Sequence, residues 1–184
     1  MHSNKAQVRI IAGEYRGRRI DVASRPGLRP TPDRVRETLF NWLGQWLDGL
    51  SCLDLFAGSG ALGFEAASRG AQRVVMIERD PVVFRALAAS RSQLAAGAVE
   101  LTRGDALEFL RADSGVYDVV FLDPPFDAGY WPRVAPLLAP RLAREALVYY
   151  ESGGRAGSLP GWETRKYGKA GQVSYHLLKW IGGA

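Results

Sequence analysis

Cysteine is almost absent: one thiol in 184 residues excludes a disulfide framework, so the redox state of the compartment has little hold on this fold. Cys52 lies inside an apolar run with no histidine near it in the motif, and it reads as a small buried hydrophobe rather than a nucleophile. No run approaches eighteen apolar residues, and Met1 to Arg9 is polar, without the apolar segment of a signal peptide. The expectation is a soluble, cytoplasmic protein with no membrane partner. No internal repeat is visible, and no metal site is expected. There is no room for a second substrate domain either, because a chain of this length with 47% hydrophobic residues builds one full-sized core.

Acidic residues are scarce in one place only. Residues 1 to 29 carry seven bases, Lys5, Arg9, Arg16, Arg18, Arg19, Arg25 and Arg29, against Glu14 and Asp21, while the remainder is balanced. The formal net charge of +5 therefore belongs to the amino-terminal segment, as in a polyanion-binding arm; a solvated leader is the alternative. Its pattern is that of a short hairpin: Val8 to Ala12, a turn from Gly13 to Gly17, then Arg18 to Val22, with the arginines displayed. The expected organisation is a basic arm over residues 1–30 and a second unit over 31–184, compact as a whole. Leu28 to Pro32 reads as an extended link, after which Thr31 or Asp33 caps a helix with Pro32 near its first turn. Val35, Leu39, Trp42, Leu43, Trp46 and Leu47 form its apolar face, while Arg34, Arg36 and Glu37 fall away from it, toward a cleft or toward solvent.

The stretch that organises the chain is Cys52-Leu53-Asp54-Leu55-Phe56-Ala57-Gly58-Ser59-Gly60-Ala61-Leu62-Gly63. An apolar run bounded by glycines suits a parallel strand covered on both faces, followed by a tight loop and a helix beginning near Ala61. Gly58 and Gly60 permit positive φ, and the helix start points free N–H groups at the same space. Asp54 repels a phosphate there and attracts an ammonium or sulfonium. Glu78, twenty residues after Gly58 and at the end of Val74-Val75-Met76-Ile77, is placed to accept hydrogen bonds from ribose hydroxyls. The glycine spacing alone also fits a turn that merely packs helix on strand. Two carboxylates at successive strand ends favour a nucleoside with a cationic tail, and S-adenosylmethionine fits that description.

Beyond this stretch, helical and strand patterns alternate: a helix from about Ala61 to Arg69, a strand over 73–78, a helix from Pro81 to Leu94, and strands near 98–103 and from Tyr117 to Asp123. A helix over Pro132 to Leu142, a strand from Ala146 to Tyr150 and a closing hairpin between Trp162 and Trp180 complete the reading. Strand, helix, strand in this order means a parallel, doubly wound α/β sheet. The second chemical stretch is Val119-Val120-Phe121-Leu122-Asp123-Pro124-Pro125-Phe126. Its strand delivers Asp123 to the carboxyl edge, and two prolines without N–H donors present rigid carbonyl acceptors. Asp123 and a proline carbonyl, Pro124 foremost, then accept the two hydrogens of an exocyclic amine while Phe126 stacks on the base.

These residues resemble the class I S-adenosylmethionine-dependent amino-methyltransferases. With Arg9-Ile10-Ile11-Ala12-Gly13, Gly17-Arg18-Arg19 and Arg29-Pro30-Thr31-Pro32-Asp33-Arg34-Val35-Arg36-Glu37, the chain is similar to the bacterial 16S rRNA guanine-N2-methyltransferases that modify guanine 966. The resemblance implies a Rossmann-like, mainly parallel seven-stranded sheet with a carboxy-terminal antiparallel hairpin and a small amino-terminal β-hairpin. It implies S-adenosylmethionine held by Asp54, Ala57, Gly58, Gly60, Glu78, Asp105 and Ala106, with Asp105 accepting from the adenine amino group. Catalysis falls to Asp123, Pro124 and Phe126, and RNA contact to Arg9, Arg16, Arg18, Arg19, Arg29 and Arg34. The implied substrate is 16S rRNA in the small (30S) subunit or its late assembly intermediate, and the implied state is a monomer. The rivals are adenine or cytosine amino-methyltransferases acting on DNA or RNA, a nicotinamide dehydrogenase, and a non-catalytic RNA-binding assembly factor. The dehydrogenase has no use for Asp123-Pro124-Pro125-Phe126, and an assembly factor has no need of acids at positions 54, 78, 105 and 123.

Overall fold

The computed structural model describes residues 6–125, 130–153 and 159–182. In chain order the elements are β1 (Gln7–Arg9), β2 (Arg19–Asp21), α1 (Asp33–Trp42), β3 (Ser51–Asp54), α2 (Ala61–Ser68), β4 (Arg73–Glu78), α3 (Pro81–Leu94) and β5 (Val99–Arg103). They continue with α4 (Ala106–Ala112), β6 (Tyr117–Leu122), α5 (Tyr130–Leu138), β7 (Leu142–Ser152), β8 (Trp162–Ala170) and β9 (Val173–Trp180). The large sheet has seven strands in the order β5-β4-β3-β6-β7-β9-β8, parallel from β5 to β7, with β9 running antiparallel between β7 and β8. β1 and β2 form the separate hairpin, Val8 opposite Ile20. The order reverses between β3 and β6, and at such a switch point the crossovers leave a crevice beyond the carboxyl ends of the strands.

Alternate residues of the central strands enter opposite layers, as a strand period of two requires. Cys52, Val74, Met76, Val119, Phe121 and Tyr149 face a core closed by α1, α2, α3 and the hairpin; Leu53, Val75, Ile77, Val120, Leu122 and Val148 face the one closed by α4 and α5. Cys52 is fully buried and its thiol pKa is pushed up to about 12, chiefly by that burial. Among the described residues, no helix is long and apolar enough to cross a membrane.

Several boundaries depart from the sequence expectation for physical reasons. The first helix stops at Trp42 rather than running to Leu47, because Gly44 and Gln45 adopt φ of 95° and 70°; Trp46 is left exposed. Pro32 occupies its N-cap position, and neither Thr31 nor Asp33 supplies a side-chain cap. The unanticipated α4 occupies seven residues, too few for a periodic apolar face to stand out. The last helix starts at Tyr130 and ends at Leu138, where a 3-10 turn over Ala139–Arg141 leads into a strand several residues longer than its apolar centre.

The largest correction concerns Arg36, which faces neither cleft nor solvent but is wholly buried. Its guanidinium meets Glu65 at 3.2 Å, Asp33 at 2.5 Å, and the carbonyls of Thr31 and Arg9 at 3.2 and 2.9 Å. Glu65, also without solvent exposure, accepts from the backbone N–H groups of Ile11 and Ala12 at 2.9 and 3.0 Å and from Arg69 Nε at 2.8 Å. Arg69 in turn donates to the Gln45 carbonyl and lies 4.5 Å over the Phe40 ring. The hairpin is also fastened at Gly13, with φ of 82°, where a Cβ would stand 1.7 Å from the Ser68 carbonyl oxygen. Glycine is therefore required for the hairpin to lie against α2.

Replacing Glu65 with Gln should strand a buried guanidinium and lower unfolding free energy by about 3–5 kcal/mol. Urea denaturation reads this directly. A loss below about 1 kcal/mol would mean that the cluster is not a cooperative anchor.

Candidate functional site

Each of the five parallel strands delivers one carboxylate to the same edge of the sheet. Asp54 ends β3, where it pairs in register with Met76 and Phe121 on its two neighbours; Glu78 ends β4 and Asp123 follows β6, each two residues further on. Asp105 lies two residues beyond Arg103, the last residue of β5, and Glu151 lies near the end of β7. All five line one cavity of about 690 Å³, together with the glycine loop, Ala106, Pro124, Pro125 and Tyr130. That volume suits a nucleoside-sized ligand.

The acids have separate local tasks. Asp54 is buried, and its Oδ2 accepts from Gly63 N at 3.2 Å in the first turn of α2. Burial pushes its pKa up to about 7; hydrogen bonds from Gly63 and Phe56 oppose that rise, and the charge of Glu78 adds to it. Glu78 accepts from Gly58 N at 3.0 Å and from Asp80 N at 2.7 Å, so it ties the glycine loop to the start of α3. Gly58 and Gly60 have φ of 51° and 80°, and Gly60 caps α2 from the left-handed region as the motif implied. Asp105 caps α4 instead of hanging free: its Oδ1 accepts from Leu107 N and Glu108 N at 2.9 and 3.2 Å.

Asp123 and Glu151 share a side-chain hydrogen bond at the far end of the cavity. Burial, then the charges of Glu151 and Asp54, hold the Asp123 carboxyl well above the usual range, and burial raises Glu151 as well. Two adjacent half-buried carboxyls of this kind oppose being ionised together. Phe126 lies outside the described residues.

Glu151 escaped the sequence reading because that strand was taken to end at Tyr150, one residue short of it. Register would have found it, since Phe121 pairs with Tyr149 and Leu122 with Tyr150, which brings positions 123 and 151 side by side. Leu28 to Pro32, read as an extended link, also lines the cavity, together with Arg25 to Gly27 before it. Arg25 Nε reaches Asp80 at 3.1 Å, and a Cβ at Gly58 would stand 3.1 Å from the Leu28 side chain.

The arginines expected to meet RNA divide into two groups. Arg9, Arg16, Arg19, Arg29 and Arg34 are exposed, with Arg9 3.4 Å from Asp33. Arg18 is exposed too, but its guanidinium donates to the carbonyls of Gln93 and Leu94 at the end of α3, where a cation also meets the negative end of the helix. It fastens the hairpin to α3.

The family model described as conserved hypothetical protein 95 matches residues 8–179. The Escherichia coli protein named ribosomal RNA small subunit methyltransferase D is 45% identical over 183 residues, covering 97% of this chain and 92% of that one. The chain belongs to this family. A solved structure titled as a putative methyltransferase from Escherichia coli superposes with a TM-score of 0.85 at 44% identity, covering 95% of this chain and 98% of that one. At 24% identity and a TM-score of 0.63, a Salinibacter ruber RNA methyltransferase solved with S-adenosylhomocysteine covers 81% of this chain and 92% of its own; this likeness is one of fold. Members of the family are class I methyltransferases, and S-adenosylmethionine is the cofactor. The residues present fit it: a buried acid with no cationic partner among the described residues, an acid at the second strand end, and a glycine loop between them.

Because the Asp54 pKa is raised, the group is largely protonated below about pH 7 and ionised above it, and a cationic ligand favours the ionised form. Affinity for S-adenosylmethionine should therefore fall roughly tenfold from pH 8 to pH 6, with the slope lost in Asp54→Asn. Calorimetry at the two pH values is the check. A pH-independent Kd in the unaltered protein would remove Asp54 from the charge match.

Proposed function

We propose that this chain methylates the exocyclic N2 of a guanine in small-subunit ribosomal RNA, the guanine at position 966 of 16S rRNA, acting as a cytoplasmic monomer on the 30S subunit or its late assembly intermediate. The coarser statement, an S-adenosylmethionine-dependent ribosomal RNA methyltransferase, follows from family membership and from relatives named for that activity. The observation that carries the finer one is the acceptor-rich end of the cavity: Asp123 and Glu151 side by side, next to Pro124 and Pro125. This is a receptor for hydrogen-bond donors, and the edge of guanine that carries N2 is a row of donors.

S-adenosylmethionine supplies an electrophilic methyl group. Asp54 would lie against its cationic tail, Glu78 against its ribose, Asp105 and Ala106 against its adenine, and the backbone of Ala57, Gly58 and Gly60 along its length. Asp123 and the Pro124 carbonyl hold the two hydrogens of the target amine out of the plane of the base, so the nitrogen lone pair is less delocalised into the ring. As positive charge develops on that nitrogen, Asp123 stabilises it and takes the proton. Its raised pKa makes it a stronger base than a solvated carboxylate. Phe126 is assigned the stacking face.

Asp123→Ala should lower methyl transfer by about 10²-fold or more while leaving S-adenosylmethionine affinity unchanged within a small factor. Glu78→Ala should weaken cofactor binding by about 1.5–3 kcal/mol, since the ribose acceptor and the tie to Gly58 go together. Single-turnover transfer and calorimetry on both variants separate the two roles. Loss of cofactor binding in Asp123→Ala would contradict the assignment.

The exposed arginines give the RNA affinity. Neutralising Arg16, Arg19 and Arg34 together, and sparing Arg18 because it fastens the hairpin, should reduce the slope of log K against log salt by about 0.7–0.9 per lost phosphate contact. Binding to 30S subunits at several salt concentrations measures it. An unaltered slope would take the arm out of recognition.

A further inference from the structure

Glu151 is a half-buried acid whose bonded partners, among the described residues, are not cations. The Tyr149 hydroxyl donates to Oε1 at 2.5 Å, and the Asp123 side chain is its other partner. Tyr149 is itself fully buried and packed against Tyr175, so the hydroxyl that orients Glu151 has little freedom. A half-buried carboxylate in a cavity wall, with no counter-charge among the described residues, is unfavourable for folding, and an amide in its place would carry less penalty. Its presence in the cavity wall, aimed by a fixed tyrosine beside the acid assigned to the target amine, points to a ligand with hydrogen to donate.

Guanine presents N1–H directly beside N2–H₂, three hydrogens in one edge. Purines such as adenine and 2-aminopurine carry a bare lone pair at N1. Asp123, the Pro124 carbonyl and Glu151 are three acceptor groups in one wall. We propose that Glu151 reads the base, accepting the N1–H of the target guanine while Asp123 accepts from N2, and so sets the preference for guanine over purines with an unprotonated N1. The guanine hydrogens supply donors to two carboxyls that burial and proximity make reluctant to ionise. This rests on the guanine-N2 reading above.

The test uses small subunits reconstituted on ligated 16S RNA with either guanine or 2-aminopurine at the target position; both carry the 2-amino group, and because the analogue lacks the 6-oxo group as well as N1–H, the part played by Glu151 is read from the change of the ratio between variants. The unaltered protein should prefer guanine by about 10²-fold or more in kcat/KM, because a site built around a donor leaves its acceptors unpaired with the analogue. In Glu151→Gln, the amide can donate to the bare N1, and the ratio should narrow by about tenfold or more, with thermal stability and S-adenosylmethionine affinity retained. If both substrates slow equally and the ratio holds, Glu151 only supports Asp123 and the proposal is overturned. Should the glutamine variant fail to fold, Glu151→Asp carries the test: withdrawn by one methylene, the carboxylate loses its reach to N1 and the ratio narrows, whereas an unaltered ratio there also overturns the proposal. Failure of the unaltered protein to methylate guanine N2 in these subunits is a separate outcome and sinks the parent reading together with this one.

Discussion

A carboxylate with no access to water must be matched by donors from the protein, and at Glu65 those donors come from parts of the chain that otherwise have little reason to meet. The backbone of Ile11 and Ala12 belongs to the basic hairpin, Arg36 to α1, and Arg69 bridges back to the loop after α1. Each ion alone would be strongly unfavourable in the interior; together they satisfy one another, and the network tolerates little displacement of any member. The cluster therefore holds the hairpin, and the strap that follows it, at the rim of the cofactor cavity. Residues 25–32 reach the glycine loop because residues 9–12 are already pinned.

The opposite arrangement prevails at the carboxyl edge of the sheet. There the acids outnumber their protein counter-charges, and Asp54, Asp123 and Glu151 all ionise less readily than free carboxyls, with burial the first cause in each case. Such groups work against folding as pH rises from the ordinary carboxylate range toward their raised pKa values, because the unfolded chain releases those protons first. The cavity is thus under electrostatic stress that ligands relieve, Asp54 through a cation and the Asp123–Glu151 pair through hydrogen-bond donors. One end of the domain spends its acids on anchoring, and the other keeps them unmatched.

Much of this was legible in the residues. Asp54 and the glycines that follow it, Glu78, and Asp123 with its prolines advertise themselves by local chemistry, and the alternation of apolar runs located the strands that carry them. What stayed hidden depends on distance in space. Arg36 looks like any polar residue on an amphipathic helix, because its partner, Glu65, lies 29 positions away. Glu151 becomes visible only when β6 and β7 are set in register, and the tie from Arg18 to the hairpin's neighbour shows only when the end of α3 is seen beneath it. Asp105 was placed in the right loop, but its cap on α4 went unread because a helix of seven residues leaves no periodic trace.

The anchoring of the hairpin also has a consequence in time. Ribosomes make the chain from its amino terminus, yet the carboxylate that receives Ile11 N is 54 residues further along. Until α2 has left the exit tunnel, the hairpin lacks the Glu65 carboxylate and the Ser68 carbonyl that fix it, and Val8, Ile10 and Ile20, buried in the finished fold, lack the cover that α2 gives. The most positively charged stretch thus emerges ahead of its anchor and cannot take its final place until a helix translated after it has been built.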